Sequence, residues 1–380
     1  MNLFAIFRDE LKAIFTNPVI LLTIFGGVLF YSILYPLPYS HQTPREQRVT
    51  VVNLDNSSVS RQLERMVNAT PQIEIVQRSY SVEEAKQQFL AGEVSGIFVI
   101  PRHFYKDLLL GKAPVVSYAG DASYFLVYGT IVEGLSRATG TLAAQARVSR
   151  LLMDGESVSV AASHHSAISG NLKPTFNPTV GYVSYVVPAV FVLILQQTLI
   201  MGVGILGGSQ KYGTGYWSKA SPLSVILVRT VIFTVIYYFL AMYYMGFSFD
   251  FYHIARLSEP GTILFLLAPF TIASVFIGVF LGAILPRREL VTVVVLISSM
   301  PLVFSAGFIW PIESLPKVMV WLSECFPSTL AIQSFLVVNQ MGASISEVLP
   351  KVVHMWGLVS IWGLIALITY KKSLKQIEPE

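Results

Sequence analysis

The sequence predicts a polytopic α-helical membrane protein of six transmembrane helices plus re-entrant helices, carrying an inserted α/β extracytoplasmic domain. Three observations carry that prediction. Of 380 residues, 53% are hydrophobic and only 13% charged, and mean hydropathy is +0.61; soluble domains hold about 45–50% apolar and about 25% charged residues. Six apolar runs, about 18–37, 181–207, 224–247, 262–285, 290–310 and 352–370, reach the roughly 20 residues a membrane helix needs. The segment between the first two, 39–177, has the polarity of an ordinary globular domain and must fold outside the bilayer.

Residues 1–17 read as a cytoplasmic interfacial amphipathic helix. Leu3, Phe4, Phe7, Leu11, Ile14 and Phe15 share one helical face, with Arg8, Asp9 and Lys12 away from it. Pro18 opens the first span, 18–37, read as a retained anchor because no small-residue cleavage site follows Leu34. Arg8, Lys12, Lys211, Lys219, Arg229, Arg287, Arg288, Lys371, Lys372 and Lys375 fall on one side of the six spans, against Arg256 and Lys317 on the other. The positive-inside rule therefore puts both termini in the cytoplasm, with 372–380 as a cytoplasmic tail.

Within the extracytoplasmic domain, 38–178, strand and helix patterns alternate. Arg48–Asn53 reads as a strand, Ser58–Val67 as a helix and Gln72–Gln77 as a strand. Ser81 with Glu84 forms a capping box for a helix to about Ala91, closed by Gly92. Val94–Ile100 reads as a strand, His103–Leu110 as a short helix, Pro114–Ala119 as a strand, and Tyr124 to about Leu152 as a long helix. The single cysteine, Cys325, allows no internal disulfide and reads as a free structural thiol.

Several chemistries are excluded or weak. Gly202-Val-Gly-Ile-Leu-Gly207 matches the dinucleotide fingerprint but lies inside a span, so packing through small residues at Gly204/Gly208 and Gly278/Gly282 is the stronger reading. No GxxxxGK[ST] run occurs, so an ATP-driven role needs a separate ATPase. His164 and His165 with His41 lack a companion ligand cluster and read as polar linker rather than metal site. Asp121, Glu133 and Asp154 have no catalytic partners. A formal charge of +4 comes without basic runs bearing interleaved aromatics, which argues against nucleic acid. No catalytic residue, cofactor or metal is expected on this chain.

The remaining polar residues carry the functional expectations. Arg229, one turn into the third span, reads as a snorkelling charge. Gln196 and Gln197 cannot face one direction, so at least one meets another helix or a cavity. Aromatics such as Tyr182, Tyr185, Phe191, Tyr237, Tyr238 and Phe239 line a path or simply pack. The loop Lys211-Tyr-Gly-Thr-Gly-Tyr-Trp-Ser-Lys-Ala-Ser-Pro222 is either an interfacial aromatic anchor or a docking site for a cytosolic partner. Ser305–Pro316 and Lys317–Leu349, broken at Pro327, read as helices that enter the outer leaflet and return, over about 311–349.

In this order and topology the sequence resembles the type-2 ABC exporter permeases, in particular those with a large extracytoplasmic domain between the first two spans. The resemblance covers essentially the whole chain. It rests on the N-terminal interfacial helix, Val51-Val-Asn-Leu-Asp-Asn-Ser57 with Ser60, Phe176-Asn-Pro178, Gly307-Phe-Ile-Trp-Pro311 with Pro316, Phe326-Pro-Ser-Thr-Leu-Ala-Ile-Gln333, and Asn339-Gln-Met-Gly342.

The resemblance implies a permease in the bacterial inner membrane, paired with a second permease as a homo- or heterodimer. Two cytosolic ATP-binding cassette ATPases would use the ATP, and a periplasmic membrane-fusion adaptor is an expected neighbour. Lys211, Tyr212, Tyr216 and Trp217, with Arg8 on the N-terminal helix, would couple to the ATPase. Phe308, Trp310, Pro311, Pro316 and Pro327 would belong to the re-entrant gate, and Gln196, Gln197 and Tyr185 to a path for amphipathic, drug-like or lipidic substrates. The competing reading is a membrane-anchored receptor or envelope-assembly protein that binds a ligand or partner through its outer domain.

Overall fold

A computed structural model describes residues 2–39, 44–160, 175–177, 181–211 and 215–375. The chain forms two compact units, one of Met1–Ser40 with Pro174–Glu380, the other of His41–Lys173.

Helix α1 spans Leu3–Phe15, its first turn capped by the Asn2 side chain. The residues it buries are Ile6, Glu10 and Ile14, spaced four apart, while Leu3, Phe4, Phe7 and Phe15 stay exposed. The apolar face read from the sequence is thus largely not the one that meets the rest of the protein. Asn17 caps the following helix, α2 (Pro18–Tyr39), through the backbone amides of Val19 and Ile20. A π-turn over Leu22–Gly26 interrupts α2, and Ile20, Ile24, Val28 and Ser32 continue the buried stripe.

The inserted unit is a four-stranded sheet in the order β2-β1-β3-β4. Its strands are β1 (Gln47–Asn53), β2 (Ile73–Arg78), β3 (Gly96–Ile100) and β4 (Ser117–Gly120). The first three are parallel and β4 runs antiparallel to β3. Helix α3 (Ser58–Asn68) connects β1 to β2, and α4 (Val82–Leu90) connects β2 to β3. Those two crossovers step in opposite directions across the sheet, so right-handed connection puts the helices on opposite faces. The cores agree: Leu63 and Val67 of α3 pack with Val49, Val51 and Phe98, whereas Ala85 of α4 packs with Val52 and Ile97.

Short α5 (Phe104–Leu109) follows β3, and α6 (Phe125–Met153) buries Ile131 and Leu135 on the α3 side. Asn53 organises the β1–α3 joint. Its Oδ1 accepts from the amides of Asp55 and Asn56 at 3.1 and 2.9 Å, and its Nδ2 donates to Ser60 Oγ at 3.0 Å and Glu64 Oε1 at 2.6 Å. Ser57 caps α3. The Val51–Ser57 run with Ser60 is therefore one hydrogen-bonded strand-to-helix corner.

The membrane unit continues with α7 (Val183–Ser209), α8 (Tyr216–Lys219), α9 (Pro222–Phe251), α10 (Pro260–Ile284), α11 (Glu289–Ser305), α12 (Lys317–Glu324), α13 (Pro327–Gln340) and α14 (Ile345–Lys375). Among the described residues five helices, α2, α7, α9, α10 and α14, are long and apolar enough to span. The run expected at 290–310 forms α11, apolar but only 17 residues long, about 25 Å at 1.5 Å per residue. Helices α12 and α13 are bent by 94° at their break, so this apolar segment does not run straight.

Helix α7 is the centre: 94% of its most apolar window is buried, against 22% for α2 and α14. It is apolar all round because it has neighbours all round. Glycines set its distance to α10. A Cβ on Gly282 would lie 2.8 Å from the Gly204 carbonyl oxygen, and one on Gly278 would lie 2.7 Å from Val203 Cβ. The Gly202–Gly207 run is a helix-packing surface.

Candidate functional site: a buried polar ring

Four side chains from four elements close a hydrogen-bonded ring inside the membrane unit. Arg229, in the second turn of α9, donates from Nε to Glu10 Oε1. The Tyr216 hydroxyl of α8 donates to Glu10 Oε2. Gln210, at the C-terminal cap of α7, donates from Nε2 to the Tyr216 oxygen at 2.7 Å, and its Oε1 accepts from Arg229 Nη2 at 2.5 Å. Arg229 and Glu10 side chains are 1% and 0% exposed. A charge pair so removed from water persists only when paired and hydrogen-bonded, and here both carboxylate oxygens and two guanidinium nitrogens have partners.

Each element delivers its residue for a local reason. Glu10 lies between Ile6 and Ile14 on the packed stripe of α1. Ser221 caps α9 and Pro222 begins it, which places Arg229 on the same face as buried Val225 and Ile226. Tyr216 sits in the single turn of α8, where the amide of Gly215 donates to Ser218 Oγ. Burial, followed by the Glu10 carboxylate, pushes the Tyr216 phenol above its ordinary pKa, so the hydroxyl keeps the proton it donates.

The snorkelling expectation for Arg229 is corrected: its guanidinium turns inward, because a matching carboxylate waits on α1. Glu10 and Gln210 were not singled out from sequence. The signal was present in Glu10, an acid at the i+4 position between two isoleucines. In the loop, Tyr216 and Trp217 are half-buried against the core, rings 5.2 Å apart and edge to face. Lys211 donates from Nζ to the Leu285 carbonyl at 3.1 Å, satisfying the end of α10. Arg8 is exposed and pairs with its neighbour Asp9 at 3.0 Å. Tyr212 lies outside the described residues, as do His41, His164 and His165.

A second polar joint holds α13. Gln196 of α7, 1% exposed, accepts at Oε1 from the amide of Ser328 at 2.6 Å. Pro327 opens that helix, and the glutamine serves as a cap supplied by another helix. Gln196→Leu strands this buried amide, an expected loss of about 1–3 kcal/mol; a lower melting temperature of the purified protein, with half-buried Gln197→Leu near wild type, is the check.

The other residues named for the expected re-entrant segment sit at or near turns. Gly307 has φ +88° and a Cβ there would meet Ile312. Phe308 is buried and Trp310 exposed, and Pro311 and Pro316 precede a 3-10 turn and α12. Trp362 Nε1 donates to the Cys325 carbonyl at 3.0 Å at the bend, where the free thiol is exposed rather than packed. Asn339 accepts from the Leu257 amide and the Ser258 hydroxyl, each at 2.9 Å.

Of the aromatics, Phe191 stacks on Tyr244 with centroids 4.0 Å apart. Tyr237 is buried, Tyr185 and Phe239 are exposed, and Tyr182 stacks on Tyr39 at 5.7 Å. Phe191 and Tyr237 pack. Among the described residues no group of three acids, histidines or cysteines is arranged to hold a metal.

Several apolar helices of membrane length, packed through glycines and joined by buried polar contacts, define a multi-pass helical membrane protein. The chain belongs to the ABC-2 family of transporter proteins: the model of the ABC-2 family transporter protein matches residues 18–368. No curated protein matches the chain. The family forms the membrane component of ATP-binding cassette transporters and works with a separate ATPase.

Proposed function

We propose that the chain is the permease subunit of an ATP-driven exporter in a bacterial inner membrane, with both termini cytoplasmic and the inserted unit outside. It pairs with a second permease and with cytosolic ATPases, and moves amphipathic, drug-like or lipidic compounds outward. The observation that carries the reading is the buried ring. It ties α1 and α8, the elements expected to meet the ATPase, to α7 and α9 with charge-assisted bonds. A displacement of α8 is then shared with the central helix instead of being absorbed in a loop.

Substrate chemistry is supported by the apolar character of the spans, which suit amphipathic compounds better than ions. The periplasmic adaptor and the role of α12–α13 as an exit gate belong to the same proposal. The test is ATP hydrolysis by the co-purified ATPase. Tyr216→Ala with Trp217→Ala is expected to abolish its stimulation, and a melting curve of the same sample separates lost coupling from lost folding. Recovery of no nucleotide-binding subunit from mild detergent would overturn the reading.

A further inference from the structure

The inserted unit contains an open cleft of about 900 Å³ between α5, the loop after it and the C-terminal half of α6. That volume lies within the range of about 300–1,000 Å³ of small-molecule sites. Its floor is apolar, with buried Leu63, Phe104 and Leu142. Its rim is cationic, with Lys112, Arg147 and Arg150 against one carboxylate, Asp154.

The cleft follows from the sequence of α6. The first half of that helix buries Ile131, Leu135 and Ala138 on the sheet. Beyond them Gly140, Ala143 and Ala146 face the cleft, side chains too small to fill it. Arg147 and Arg150 stand three apart and therefore share a face. Lys112 Nζ lies 3.7 Å from Asp107, but among the described residues neither Arg147 nor Arg150 has a side-chain hydrogen bond or ion pair. Gly111, with φ +70°, makes room for one of them, since a Cβ there would lie 1.8 Å from Arg150 Nη1.

We infer that this cleft binds a long-chain amphipathic anion, its chain on the Leu63–Phe104–Leu142 floor and its head on Arg147 and Arg150. The charge on the rim selects the occupant. A planar guanidinium pairs bidentately with a carboxylate, phosphate or sulfate, and an apolar floor favours each methylene it removes from water. The inference goes beyond the permease reading and stands or falls separately from ATPase binding at α8.

The experiment uses the full chain in nanodiscs and hexadecanoate carrying a diazirine near the chain end. Photolabelling is expected on peptides covering 104–116 and 136–151, competed by plain hexadecanoate and absent with the neutral amide of the same chain. Arg147→Glu with Arg150→Glu should reduce it at least about tenfold, since each charge-assisted bond is worth about a factor of ten or more. Ala143→Trp, which fills the cleft and keeps the charges, should also remove it, and decides the matter if the double variant does not fold. Equal labelling by the amide, unchanged labelling in both variants, or label confined to the membrane helices overturns the inference. Labelling present in monomer but blocked in dimer would assign the cleft to a second copy of this chain and overturn it as well.

Discussion

Glu10→Ala is expected to destabilise the protein by about 3–5 kcal/mol, the usual cost of stranding one member of a buried ion pair. Arg229 would remain 1% exposed, bonded only to Gln210 Oε1. Arg229→Met should cost less, because a stranded carboxyl can take up a proton whereas a guanidinium cannot lose one. Glu10→Leu with Arg229→Met should recover much of the stability, as apolar replacements of buried pairs commonly do. The double variant would nevertheless break the ring and lose ATPase stimulation. Thermal melting and ATP hydrolysis of the co-purified complex together separate the two roles: recovery of both in the double variant would show the ring to be structural only.

Gly282→Leu is expected to separate α7 from α10. A Cβ there would stand 2.8 Å from the Gly204 carbonyl oxygen and 3.2 Å from Gly207 Cα, both backbone atoms that cannot rotate away. Inserting side-chain volume into a packed contact costs about 1–3 kcal/mol, and more where backbones must part. Gly261→Leu on the same helix is the comparison, since a Cβ there meets nothing within 4 Å. A large fall in melting temperature and in the monodisperse fraction for Gly282→Leu, with Gly261→Leu near wild type, is the predicted result. Equal behaviour of the two would refute the packing role of the glycine run.

The proposed extracytoplasmic position of the inserted unit follows from the charge asymmetry between loops. An accessible cysteine at an exposed site such as Tyr80, in a Cys325→Ser background, should react with an impermeant maleimide from the outer side of the inner membrane. Protection from outside, with reaction from the cytoplasmic side, would reverse the topology and with it the proposed direction of transport.

Much of the architecture was legible along the chain because it depends on local composition and period. Apolar runs of membrane length, the Ser81 capping box, the Gly92 stop and the strand alternation of Gln72–Gln77 each act within a few residues, and the helices and strands begin and end close to where those signals place them. The bend at Pro327 was legible for the same reason: proline and the residue before it end a helix locally.

What the tertiary structure alone decided is which polar residues meet. Glu10 and Arg229 are 219 positions apart, and Gln196 and Ser328 are 132 apart; no period or spacing links either pair. From sequence Arg229 is a charge near an interface, and the expected answer to such a charge is water. Burial changes the answer, because in an apolar interior a charge is kept only by an opposite one, and the partner stands on whichever helix the packing brings alongside. The local sequence sets where the chain is helical and apolar, and the close approach of α1, α7, α8 and α9 sets which of its few polar groups are paired.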